Sequence, residues 1–212
     1  MSLFAIADTH LSFGTNKPMD SFEGWQNYTQ RLQKNWNKLI GENDDVVIAG
    51  DISWAMDFNE LKADFDFIES LNGNKIILKG NHDFWWNTMS KLNKFLTENN
   101  YKTIRFLYNN SFVCGSYSVC GSRGWYFDIE NEKDERVLLR ELGRIERSLQ
   151  SAEKDNKIVF LHYPPVTQNS KCTQIIDLLE KYGIKKCYFG HLHGDAAKYA
   201  FEGKENGIDF KL

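Results

Sequence analysis

Apolar and polar positions along the chain fall into blocks of two textures. Short apolar runs that stop abruptly at polar residues occur at Leu3-Phe4-Ala5-Ile6-Ala7, Val46-Val47-Ile48-Ala49, Ile76-Ile77-Leu78, Ile158-Val159-Phe160-Leu161 and Cys187-Tyr188-Phe189. Their length and β-branched content predict buried strands. Between them, apolar residues recur at spacings of three and four, the period of a helix with one buried face. Residues 22–40 carry Trp25, Tyr28, Leu32, Trp36 and Leu39 as one such stripe, assigned to the core. A second helix opens on a capping box of Asp57 with Glu60, presents Leu61, Phe65, Ile68 and Leu71, and stops at Asn72-Gly73. A third has Met89, Leu92, Phe95 and Leu96 on its inner face.

From residue 103 to 121 the texture changes. Three strand-like runs, Ile104-Arg105-Phe106-Leu107, Ser111-Phe112-Val113-Cys114 and Tyr117-Ser118-Val119-Cys120, follow one another with no helix between them, which predicts an antiparallel meander. A long charged helix is expected over 132–153, with Leu138, Leu142, Ile145 and Leu149 inward and its Glu and Arg residues on a solvated face. A helix over 173–182 closes at Gly183, and residues 198–201 and 208–212 predict a hairpin. The chain stops inside the second of those runs, so native residues beyond Leu212 are allowed for. Strand–helix alternation at both ends around an all-strand middle predicts an α/β fold of two mixed sheets packed face to face with helices outside. With 212 residues and no Pro/Gly/Ser linker, a single domain over 1–212 is expected.

Composition narrows the partners. A net charge of −3 and a pI near 6.0 lack the basic excess of a protein that holds nucleic acid by its backbone, so no stable nucleic-acid partner is expected. The N-terminus enters its first strand directly, without a basic segment or an apolar stretch long enough for a signal or membrane helix. A cytoplasmic protein without membrane contact is the expectation. Cys114, Cys120, Cys172 and Cys187 form no Cys-x-x-Cys pair and read as reduced core thiols, with a Cys114–Cys120 bridge as the alternative.

The chemistry lies at the strand ends. All five histidines, His10, His82, His162, His191 and His193, sit where an apolar run stops, beside Asp, Asn or Gly. Five strands thus end in Asp8/His10, Asp51, Asn81/His82/Asp83, His162 and His191/His193, and in open α/β sheets ligands bind outside the carboxyl ends of strands. Gly80-Asn81-His82-Asp83 taken alone is as good a turn as a site. Together, Asp, His and Asn suit divalent metals of intermediate hardness such as manganese, iron or zinc. A structural zinc site would be expected to use cysteine, and none is among these residues.

The series Asp8-x-His10, Gly50-Asp51, Gly80-Asn81-His82-Asp83, His162 and Gly190-His191-x-His193 resembles the signature of the calcineurin-like metallophosphoesterase superfamily, in order and over residues 8–193. The segments around Asp51-Ile52-Ser53-Trp54, Phe84-Trp85-Trp86 and Gly121-Ser122-Arg123-Gly124-Trp125 resemble a bacterial branch of predicted phosphohydrolases. The resemblance implies a four-layer α/β/β/α sandwich and two transition-metal ions. It implies that Asp8, His10, Asp51 and His193 hold one ion and Asp51, Asn81, His162 and His191 the other, with Asp51 as the bridge. A hydroxide bridging the metals would attack a phosphate mono- or diester in line, with no covalent enzyme intermediate. His82 would protonate the leaving oxygen and Asp83 would orient it.

Arg123, between glycines, suits a bidentate clamp on substrate phosphate, and equally an ion pair to the long acidic helix. Trp54, Trp85, Trp86 and Trp125 border these blocks and are expected to be core or pocket wall. Tyr163 with Pro164-Pro165 reads as a rigid turn that positions His162. Two other functions compete: a non-catalytic metal-binding scaffold on the same fold, and a nuclease. The intact ligand set with His82 favours catalysis over the first, and the lack of a basic module counts against the second.

Overall fold

The computed structural model describes residues 1–125 and 132–212. Strand β2 (Asp45–Ile48) shows what organises them: it is buried along its whole length. Side chains alternate across a strand, so Val46 and Ile48 enter one apolar cluster while Val47 and Ala49 enter another. Both faces therefore need cover. In the first sheet, β1 (Leu3–Ile6), β2, β3 (Asn74–Ile77) and β4 (Ile104–Phe106) lie in that order, all parallel.

The second sheet has β5 (Phe112–Cys114), β6 (Tyr117–Ser122), β7 (Lys157–Leu161), β8 (Lys186–Phe189), β9 (Gly203–Glu205) and β10 (Ile208–Lys211), in the order β5-β6-β7-β8-β10-β9. Its four inner strands are parallel, and both edges are antiparallel. In β7, Ile158 and Phe160 face Val47, Ala49, Ile76 and Leu78 of the first sheet, while Val159 and Leu161 face outward. Helices α1 (Tyr28–Leu39), α2 (Phe58–Ser70) and α3 (Met89–Glu98) cover the first sheet, and α4 (Glu132–Gln150) and α5 (Thr173–Lys181) cover the second. The result is the expected α/β/β/α sandwich, with one sheet mixed and the other wholly parallel.

Three local expectations fail for identifiable reasons. The meander is not one: β4 closes the first sheet beside β3, and only β5 and β6 form an antiparallel hairpin. Strand texture reports burial, and both sheets bury strands alike. The first helix begins at Tyr28 because Asn27 takes a left-handed backbone (φ 52°), which leaves Trp25 in the preceding turn. Within the predicted stripe only Trp36 is fully buried, and Leu39 is 66% exposed. The C-terminal hairpin pairs β9 with β10 across Asn206-Gly207, both at positive φ as a tight hairpin turn requires. Residues 198 and 199 instead end a 3-10 turn at Gly194–Tyr199.

Other details follow the pattern. Asp57 accepts from the backbone N–H groups of Asn59 and Glu60, and Glu60 returns to the N–H of Met56, a capping box displaced by one residue. Gly183 ends α5 at φ 68°. All four cysteines are free. Among the described residues no helix is long and apolar enough to cross a membrane.

Phe65, fully buried and in ring contact with Trp85, Phe95, Tyr101 and Phe106, anchors the outer layer on the first sheet. Phe65→Ala should cost about 3–5 kcal/mol in urea unfolding. Leu39→Ala, at the exposed end of the supposed stripe, should change the same measurement by less than about 0.5 kcal/mol.

Candidate metal centre

Parallel strands from both sheets deliver their carboxyl ends to one edge of the sandwich, and short hydrogen bonds tie those ends together. The Asp8 N–H donates to the Gly50 carbonyl at 3.0 Å, joining β1 to β2. Between sheets, the His191 N–H donates to Asp8 Oδ2 at 2.8 Å. His162 Nδ1 lies 3.0 Å from the Ala49 carbonyl. A carbonyl only accepts, so Nδ1 carries the proton and Nε2 offers its lone pair inward.

Two groups of ligand-type side chains result: Asp8, His10 and His193, and Asp51, His162 and His191. In the first, the Nε2 atoms of His10 and His193 face each other at 3.3 Å, and His10 Nε2 lies 4.0 Å from Asp8 Oδ1. In the second, Asn81 Oδ1 is 2.7 Å from His162 Nε2. Asp51 stands between them. Its Oδ1 is committed to the His82 N–H at 2.7 Å, whereas its Oδ2 is 3.5 Å from His162 Nε2 and 4.0 Å from His10 Nε2. All seven residues anticipated as ligands thus meet in one place.

The polypeptide pays for this arrangement in backbone strain. Asp8, His10, Asp51 and His191 all hold left-handed conformations, at φ 55°, 43°, 51° and 73°, which are uncommon for residues with a side chain. Gly80 permits a close approach: a Cβ there would lie 2.1 Å from Asp51 Oδ1.

Electrostatics show what the cluster lacks. Burial pushes the Asp8 carboxyl up to about 8 despite the His191 N–H, with Asp51 and Asp83 adding repulsion, and burial lifts Asp51 to about 6. Burial, then the neighbouring imidazoles, hold His10 and His162 down at about 3 and His191 at about 4. Neutral imidazoles and crowded carboxyls form a donor set with no cation of its own. Among the described residues, buried Asp8 Oδ1 has no hydrogen-bond partner. Metal ions fit this chemistry, since they take lone pairs from neutral imidazole and keep carboxylates ionised.

Asp83 has a different place from the one expected. Its buried carboxylate accepts from the N–H groups of Gly80 (2.7 Å), Ile52 (2.9 Å), Asp51 (3.0 Å) and Ser53 (3.4 Å) and from Trp85 Nε1 (3.1 Å). It makes no hydrogen bond to the His82 ring, so it clamps the β2 and β3 loops together and acts on His82 only through its field. Burial lowers the His82 pKa against the opposing pull of Asp83. The half-buried His82 ring lies 5.8 Å from His10 and 4.6 Å from Trp54 between ring centroids. It caps no helix, since Thr88 caps α3.

Around these residues the sequence signal was partial. His10, His82 and His193 line a cavity of about 580 Å³ with Trp25, Trp54 and Phe22. Trp25, assigned above to a helix core, is a cavity wall, and Trp54 stacks on His10 at 4.8 Å. Trp85 and Trp125 are core. Tyr163 packs edge-on against His191 at 4.7 Å. The guanidinium of Arg123 lies 3.8 Å from Glu141 of α4, outside both ligand groups. Glu141, expected on a solvated face, is fully buried: it lies three residues after Leu138 and four before Ile145, and the apolar residues of that stripe masked it.

The calcineurin-like phosphoesterase family model matches residues 1–195. Among curated proteins, the chain is 30% identical over 86 residues to an uncharacterized protein of Methanocaldococcus jannaschii, covering 38% of this chain and 46% of that one. It is 25% identical over 173 residues to a probable cyclic nucleotide phosphodiesterase of Coxiella burnetii, covering 74% of this chain and 63% of that one. The chain therefore spans about half to under two thirds of these relatives' lengths. The crystal structure of phosphopantetheinyl hydrolase from Mycobacterium tuberculosis shares the fold, with a TM-score of 0.58 at 13% identity over 99% of this chain and 88% of that one.

The role of Asp83 as a loop clamp has a measurable consequence. Asp83→Asn turns an NH₂ group toward N–H donors, which should cost about 1–3 kcal/mol for each donor left unpaired, read by chemical denaturation.

Proposed function

The chain belongs to the calcineurin-like phosphoesterase family, and from that premise we propose that it is a dinuclear metal-dependent hydrolase of small phosphate mono- or diesters. The observation that carries this reading is the Asp51 carboxylate, whose Oδ2 is 3.5 Å from His162 Nε2 and 4.0 Å from His10 Nε2. One oxygen is thus in reach of both ligand groups. Asp8, His10, Asp51 and His193 would hold one cation, and Asp51, Asn81, His162 and His191 the other, with manganese, iron or zinc suited to the mixed N/O donors. When bound, such a pair supplies Lewis acidity toward phosphoryl oxygens and lowers the pKa of water.

The rest of the work belongs to the side chains. Asn81 contributes an oxygen without charge, so the site keeps net positive charge for a phosphoryl group. The Ala49 carbonyl holds His162 in one tautomer. Trp54 and Trp25 wall the cavity and limit water. His82 lines that cavity outside both ligand groups, which supports a role in protonating the leaving oxygen. Its lowered pKa makes it the stronger acid once charged.

The relative from Coxiella is a probable cyclic nucleotide phosphodiesterase, so diesters belong beside monoesters in any substrate test. A net charge of −3 favours small esters over nucleic acid. Four free thiols accord with the cytoplasm. The direct test is hydrolysis of p-nitrophenyl phosphate and bis(p-nitrophenyl) phosphate by the manganese-loaded protein. Turnover abolished by chelator and by Asp51→Asn is expected; metal binding without turnover of any ester would make the chain a scaffold.

Metal should also stabilise. Cations offset repulsion between Asp8 and Asp51, and a site held at about 100 times its Kd adds about 2.7 kcal/mol. The melting temperature should rise with manganese and fall with chelator. Asp51→Asn should remove the response to both ions, and Asp8→Asn should weaken chiefly one, as read by metal analysis.

The value of His82 should depend on the leaving group. An alkoxide needs a proton far more than a nitrophenolate does. His82→Ala should retain both metals and lose about 10²-fold or more in kcat on alkyl esters, with a much smaller loss on nitrophenyl esters. Equal losses would mean that His82 positions phosphate or water.

A further inference from the structure

Next to the metal centre lies a second, smaller cavity of about 180 Å³, whose wall includes Lys79, Arg123 and Arg144. At about 30 Å³ per water it holds the equivalent of about six waters, enough to admit a tetrahedral oxyanion. Among the described residues its charge is unbalanced. Glu141 is the one carboxylate within ion-pair distance of these cations among the described residues, and Arg123 and Arg144 share it. Among the described residues, Lys79 has no carboxylate within 4.0 Å and the buried Nε of Arg123 has no hydrogen-bond partner. Ser122, Tyr108 and Asn87 add neutral polar groups to the wall. Like charges gathered in a half-buried cavity repel unless an anion joins them.

The cavity is joined to the ligand groups by its own walls. Lys79 immediately precedes Gly80-Asn81. The Arg123 carbonyl accepts from the N–H groups of His162 (3.1 Å) and Tyr163 (2.8 Å). The Arg123 guanidinium lies 5.8 Å from the centre of the Tyr163 ring, and that ring packs on His191. One aromatic ring separates the basic cavity from the second ligand group.

We propose that this cavity binds a second phosphate of the substrate, so that the preferred esters carry two phosphate groups, one at the metals and one between Lys79, Arg123 and Arg144. The proposal rests on the hydrolase reading above for its substrate and on the cavity alone for its anion. Guanidinium groups present paired N–H donors to phosphate oxygens, and a lysine adds a point charge, which is how proteins commonly hold such groups.

The test compares propyl phosphate with propane-1,3-diol bisphosphate, by phosphate release, and measures binding of pentane-1,5-bisphosphonate, the non-hydrolysable isostere of the latter, to the same manganese-loaded full chain by titration calorimetry. Wild type should favour the bisphosphate at least 10-fold in kcat/KM. Lys79→Gln and Arg144→Gln should each cut that ratio to about 3-fold or less and weaken bisphosphonate binding at least 10-fold. Taking a ratio cancels general damage. Lys79→Gln should also melt at or above the wild-type temperature, because it relieves repulsion; a structural lysine would lower it.

Equal kcat/KM for the two esters, with bisphosphonate affinity unmoved by either variant, would overturn the proposal and leave the hydrolase reading standing. Loss of bisphosphonate binding in both variants, with no ester hydrolysed by wild type, would sustain the anion site and sink the hydrolase reading. If inorganic phosphate binds in this cavity of wild type and is lost in Lys79→Gln, while the esters are not distinguished, the cavity holds free phosphate and the substrate assignment is wrong.

Discussion

The carboxylate of Asp83, buried and accepting from five N–H groups, is the interaction on which the rest of the centre depends. Four of its donors are backbone amides from the loops after β2 and β3. Without an acceptor there, those amides would be buried and unpaired, a cost of about 1–3 kcal/mol each. With it, Asp51 is held in a left-handed conformation and Gly80 is pressed against it. One carboxylate thus sets the position of another, and the second lies between both ligand groups.

The same economy runs across the interface between sheets. His162 from the mixed sheet is fixed by the Ala49 carbonyl of the parallel sheet, and Asp8 of the parallel sheet accepts from the His191 N–H of the mixed one. Apolar packing of Val47, Ala49, Ile76 and Leu78 against Ile158 and Phe160 brings the sheets together. Polar bonds at the strand ends then choose the orientation. Repulsion between buried carboxyls and strain at four left-handed residues stay in the folded chain, and a bound cation offsets the former.

Around the centre, chemistry is divided by direction. Trp25, Trp54 and Phe22 form an apolar, aromatic side in the cavity shared with His10, His82 and His193. Lys79, Arg123 and Arg144 form a basic side beyond Tyr163. The Tyr163 ring lies between the Arg123 guanidinium and His191 of the second ligand group.

Apolar periodicity by itself determined the order of strands and helices, and the polar residues that interrupt it marked the seven ligand-type side chains with His82. That information is local: a strand buried on both faces must be apolar, and a residue at its end is free to be polar. Tertiary structure alone decided which sheet β4 joins, since strand texture does not record a neighbour. It also decided that Trp25 lines a cavity, that Glu141 is buried, and that Asp83 serves four backbone amides and one indole instead of His82. Each of these depends on which distant segment arrives alongside, and hydrogen-bond partners 30 residues apart leave no period in the chain.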